Sequence, residues 1–161
     1  MPEFLTWLEA SLLGRAIRGS GVWTYAVINT AHVLSVAALF GSILVLDLRL
    51  LGVWRRVPLM PIALASSQVA GFAFVAAVAT GICLLSVNGS EYIGNPWLLI
   101  KFPAIAVGLV NALLVRRSAG WKALGVRDLG AGETRQLALI GGVSLVAWLT
   151  ALTAGRMIAY W

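Results

Sequence analysis

The chain has 161 residues, 60% hydrophobic and 11% charged, with a formal net charge of +6. A soluble domain carries about 25% charged residues, so this composition excludes the ordinary soluble classes. Most of the Lys and Arg residues lie in short segments between apolar runs, without a basic–aromatic patch, so the charge marks membrane topology and not a nucleic-acid partner. Residues 1–161 therefore read as a single membrane domain.

The first element is an amphipathic helix over residues 3–18, with Leu5, Leu8 and Leu12 at helical spacing and Trp7 suited to the headgroup level. It reads as an interfacial anchor that breaks at Gly19-Ser20-Gly21 before the chain turns into the bilayer. Glu3 and Glu9, and the lack of a basic start, argue against a cleavable signal peptide. A span needs about 20 apolar residues, and four stretches reach that length, at about 22–46, 62–87, 96–115 and 137–160. Pro58 and Pro61 open the second, Asn88-Gly89 closes it, and Arg116 and Arg117 stop the third. The fold class expected is an all-α integral membrane protein, a four-transmembrane-helix bundle with an N-terminal interfacial amphipathic helix. Short connections put neighbouring helices side by side in an up-down arrangement.

Orientation follows from the basic loops. Arg49, Arg55 and Arg56 lie between spans one and two; Arg116, Arg117, Lys122, Arg127 and Arg135 lie between spans three and four. Positive-inside counting places these loops in the cytoplasm of a bacterium and both termini in the periplasm, with the chain in the inner membrane.

His32 is the only histidine, and it lies inside the first span. An ionisable ring in hydrocarbon is costly and belongs in the bundle interior with a partner. It sits about ten residues, or roughly 15 Å, below the outer end. Asn29 and Tyr25 lie one and two turns above it. Lys101 enters the third span roughly 6 Å below the same surface, and Arg156 occupies a similar level on the fourth. The polar groups thus converge on the outer half. A b-type haem needs an axial imidazole and cations for its propionates; His32 can supply the first, Lys101 and Arg156 the second. A metal ion at His32, or a hydrogen bond joining two helices, are the other readings.

Ala73, Ala77 and Gly81 recur every four residues on span two, spacing suited to close helix packing or to a flat macrocycle. Cys83 reads as a small apolar residue, Asp47 and Arg49 as a cytoplasmic boundary pair, and Asn111 as a hydrogen bond across the bundle. Soft ligands for copper are sparse, with Cys83, Met60 and Met157 far apart and no Cys-x-x-Cys pair. Two bis-His haems would need four histidines.

Several of these segments resemble a known family. His32-Val-Leu-Ser-Val-Ala-Ala-Leu-Phe-Gly41, with Arg49 beyond it, resembles the first helix of the CopD copper-resistance membrane domain and of HemJ-type protoporphyrinogen oxidases. Asn95-Pro-Trp-Leu-Leu-Ile-Lys101 is similar to their helix with a single Lys, and Thr80-Gly81 with Leu84-Leu85 to the end of the preceding one. The likeness covers about residues 22–115. The closing segment Gly155 to Tyr160 resembles a group of uncharacterised bacterial four-helix membrane proteins. The HemJ likeness implies a role for His32 and Lys101 in haem binding and activity; the CopD likeness implies copper handling.

The leading expectation is a haem b protein working in redox or electron transfer at the outer face. The binding residues are His32, as axial iron ligand, with Lys101, Arg156, Asn29 and Tyr25. Its surroundings are the lipid bilayer, with a quinone or a periplasmic redox protein as partner, or a second copy in a homo-oligomer. A copper-transport component and a structural subunit without cofactor are the alternatives.

Overall fold

In the computed structural model, which describes residues 2–161, every regular element among those residues is helical. Two short helices, α1 (Pro2–Ala10) and α2 (Leu12–Gly19), precede the long α3 (Val22–Leu50) and α4 (Leu59–Val87). A 3-10 turn, Gly89–Tyr92, leads to α5 (Pro96–Arg117), then α6 (Ala119–Ala123) and α7 (Ala131–Met157), which closes in the 3-10 turn Ile158–Tyr160. Four helices are long and apolar enough to cross a bilayer, so this is a multi-pass membrane protein.

The helices overrun the expected spans because helix-forming sequence does not stop where hydrocarbon does. α3 continues four residues past Leu46, and α7 starts six residues before Leu137. At that start the Glu133 carboxylate accepts the Gly130 N–H at 3.0 Å and pairs with Arg127 at 2.6 Å, which supplies acceptors for the unpaired first turn.

The residues expected as one interfacial helix form two. Ser11 breaks it, since its hydroxyl accepts the Gly14 N–H at 3.2 Å and caps α2. The pair is also docked on the bundle. Arg18 donates to Ser86 O and Val87 O, the unpaired carbonyls ending α4, and to Glu9 O. Glu9 in turn accepts the Ser90 N–H at 2.7 Å. A Cβ at Gly14 would collide with Ser86 O and Glu9 O, so only glycine permits this approach.

The spans run up and down, but not every sequence neighbour packs on the next. α3 packs on α4, α5 on α7, and α3 on α7, whereas α4 and α5 meet at few points. The order around the bundle is α4, α3, α7, α5. α7 takes the central place because its buried stripe (Leu137, Gly141, Ser144, Ala147, Trp148, Ala151, Ala154) is mostly small. Leu50 Cβ lies 3.0 Å from where a Gly141 Cβ would stand, which brings α3 close. Midway, Leu39, Ala73 and Trp148 form a dry layer with Phe74 edge-on to Trp148 at 6.2 Å. A second cluster of Leu50, Val115 and Leu137 closes the end with the basic loops.

Candidate functional site

His32 projects from α3 towards α4, half-buried, in the half of the bundle that bears the termini. Its Nδ1 lies 2.9 Å from Thr80 Oγ1. The same hydroxyl lies 2.7 Å from Ala76 O, one turn back on α4. A hydroxyl has one hydrogen, and the i−4 carbonyl takes it. Thr80 Oγ1 therefore accepts from Nδ1–H. That assigns the tautomer, and leaves Nε2 with a bare lone pair.

Gly81 makes room for the ring, since a Cβ there would stand 3.2 Å from His32 Cε1. Ala77 and Ala73, one and two turns before Gly81 on α4, are buried, a small-residue row that suits close α3–α4 packing. Lys101 reaches inward from α5 to α7, where a Gly155 Cβ would lie 3.4 Å from Nζ. Among the described residues its ammonium has no acceptor. It is near enough for its charge to act on the His32 ring.

The other expected residues stand apart from this pair. Arg156 is exposed; it donates to the Tyr160 hydroxyl at 2.6 Å and lies over that ring at 4.9 Å. Asn29 is exposed, turned to the flank of α3. Tyr25 is 39% exposed and approaches Tyr92 at the rim. Burial, with the Tyr25 and Glu91 side chains beside it, holds the Tyr92 phenol above its ordinary range. Cys83 is half-buried, and no group of three His, Cys, Asp or Glu gathers among the described residues.

Residues 4–161 match a family of unknown function, DUF6644. The chain belongs to that family. No curated protein and no solved structure matches it.

Thr80 is the residue that sequence reasoning missed as a partner for His32. It stood in the Thr80-Gly81 pair quoted for the family likeness, but nothing in the spacing ties position 80 to position 32. Asn111, expected to bond across the bundle, does so, donating to Ile140 O of α7 at 3.0 Å. The Asp47–Arg49 boundary pair is absent. Asp47 is buried, while Arg49 donates to Val57 O and Arg55 O of the following loop. Residues two apart on a helix point to nearly opposite faces, so these two side chains diverge.

Proposed function

We propose that this is a haem b-binding protein of the bacterial cytoplasmic membrane, with His32 Nε2 as the axial ligand. The observation that carries the reading is the 2.9 Å contact between His32 Nδ1 and Thr80 Oγ1. A ligating histidine almost always donates its other ring N–H to an acceptor, which sets its orientation and raises its basicity. Thr80 does this at Nδ1. Lys101 adds a second fit, an inward ammonium with no acceptor of its own, suited to a propionate carboxylate. One imidazole from one chain is the donor set of a haem with a single protein ligand. Bound haem supplies one-electron transfer. His32 would donate its lone pair, Thr80 hold the ring, and Lys101 offset the carboxylate charge.

The resemblance of the His32 and Lys101 segments to HemJ-type proteins supports the same pair. Positive-inside counting puts this half of the bundle on the periplasmic side, where a quinone or a periplasmic redox protein would exchange the electron. Arg156 and Tyr25, at the rim, would meet that partner before they met the haem.

The test is an optical spectrum and metal analysis of detergent-purified protein, oxidised and dithionite-reduced, beside a folded His32→Ala variant. A Soret band that shifts on reduction and is lost in the variant supports the reading. A colourless protein after haem reconstitution, or copper in place of iron porphyrin, overturns it.

A further inference from the structure

The half of the bundle with the basic loops holds a second polar layer that the haem reading does not use. Asp47 of α3 is 3% exposed, and its Oδ2 has no hydrogen-bond partner among the described residues. Ser144 of α7 faces the carboxyl from across the α3–α7 seam. Ser144 is itself buried, as is Asn111 of α5, whose amide donates to Ile140 O of α7.

No charge faces this carboxyl. On its own helix, Arg49 is committed to the loop carbonyls. α4 carries no charged residue over its whole length. On α7, Glu133 is paired with Arg127, and Arg135 is exposed two turns before Gly141. On α5, Arg116 and Arg117 lie at this same end but are exposed, and Lys101 belongs to the opposite half. An ionised carboxylate here would be buried with neither a counter-charge nor a full set of donors. Several kcal/mol is the ordinary cost of that, and the usual outcome is that the group stays neutral.

We infer that Asp47 is a proton-binding site: its carboxyl carries a proton at neutral pH, faces Ser144 of α7, and can release that proton only to the side of the basic loops. The step is a simple dissociation, carboxylic acid to carboxylate, with the proton passing to water at the rim beyond Leu50. The site is one turn from the end of α3, so the path is short.

The chain has two aspartates, Asp47 and Asp128, and Asp128 is exposed in a loop. Carbon-13 labelling of aspartate alone therefore isolates them in an infrared spectrum of the lipid-reconstituted protein. At pH 7 we expect a labelled carbonyl band of a protonated acid, retained in Asp128→Asn and absent from Asp47→Asn. Ser144→Ala should shift that band, because Ser144 is the polar side chain that faces the carboxyl. If Asp47→Asn does not fold, Asp128→Asn still decides, since its only labelled carboxyl is Asp47. Carboxylate bands alone at pH 7 in Asp128→Asn overturn the assignment.

Discussion

Among the glycines of the four spanning helices Gly108 has the least room, and alanine there is the sharpest test of the packing. A Cβ would stand 2.8 Å from Trp148 Cε2, 2.9 Å from Nε1 and 3.1 Å from Cζ2. Carbon atoms in contact sit about 3.5–4.0 Å apart, so the indole would have to retreat by about 0.7 Å. It has little freedom to do so. Trp148 is 8% exposed, with Phe74 edge-on and Leu39 and Ala73 in the same layer. Overpacking of this kind costs about 1–3 kcal/mol. Against it, alanine in place of a helical glycine gains up to about 1 kcal/mol. Gly41→Ala and Gly71→Ala isolate that gain, because nothing lies within 4 Å of either added Cβ. Unfolding in mixed detergent, followed by circular dichroism, should place Gly108→Ala about 1–3 kcal/mol below both controls. If it falls within about 0.5 kcal/mol of them, the Trp148 layer is looser than drawn and the reasoning fails.

Other outcomes follow from the docked N-terminal pair and from Thr80. Arg18→Ala removes the cation from the last carbonyls of α4; discounted for exposure, the cost is about 1 kcal/mol. It should show as proteolysis within residues 11–21 while the spans stay protected. The Ser90 N–H holds the Glu9 carboxyl below its ordinary value, with Arg18 adding to this. A lowered value means the contact contributes fully above the unfolded value, about 4.3, and is lost as pH falls through the folded one. Acidification below about pH 4 should therefore expose the same residues to protease, and Glu9→Gln should remove the pH dependence. Thr80→Val keeps the volume but removes the acceptor for His32 Nδ1–H. It should weaken haem binding about 10–100-fold in a titration, while leaving the helical content unchanged. Equal affinity would leave Thr80 with no part in orienting the ring.

The four spans were legible because apolar length is a strong signal, and the inward face of His32 because an ionisable ring in hydrocarbon has few places to go. What was not legible depended on which helices meet. Asn29 and His32 share a stripe on paper, but three residues are 60° short of a full turn, and that angle carries Asn29 onto the exposed flank. Arg156 looked like a partner for Lys101 because both lie near one surface. Its neighbour Gly155 faces Lys101 instead, and Arg156 turns out to Tyr160. Thr80 could not be paired with His32 until α3 and α4 were known to pack at that level. The docking of α1 and α2 was hidden because the partners that Arg18 and Glu9 find there are backbone groups, Ser86 O, Val87 O and Ser90 N–H, which leave no mark in the sequence.

The two polar layers lie at opposite ends of the same helix, and the structure makes them independent. His32 and Asp47 are fifteen residues apart on α3, roughly 22 Å along its axis. Between them stand Leu39, Ala73 and Trp148, with Phe40, Ile43 and Ile105 packed around. The one hydroxyl of α3 at that depth, Ser42, donates back to Leu39 O at 2.9 Å and reaches no neighbour. No hydrogen-bonded chain crosses the layer, so neither a proton nor a shift in polarity has a side-chain path from one site to the other. The stability changes of His32→Ala and Asp47→Asn should then add to within about 0.5 kcal/mol, as they do for sites without shared partners. His32→Ala and Thr80→Val share one hydrogen bond and should add to less than their sum. Strong coupling between positions 32 and 47, with the first pair additive instead, would mean that α3 transmits force as a rod. The Trp148 layer would then be a lever and not a barrier.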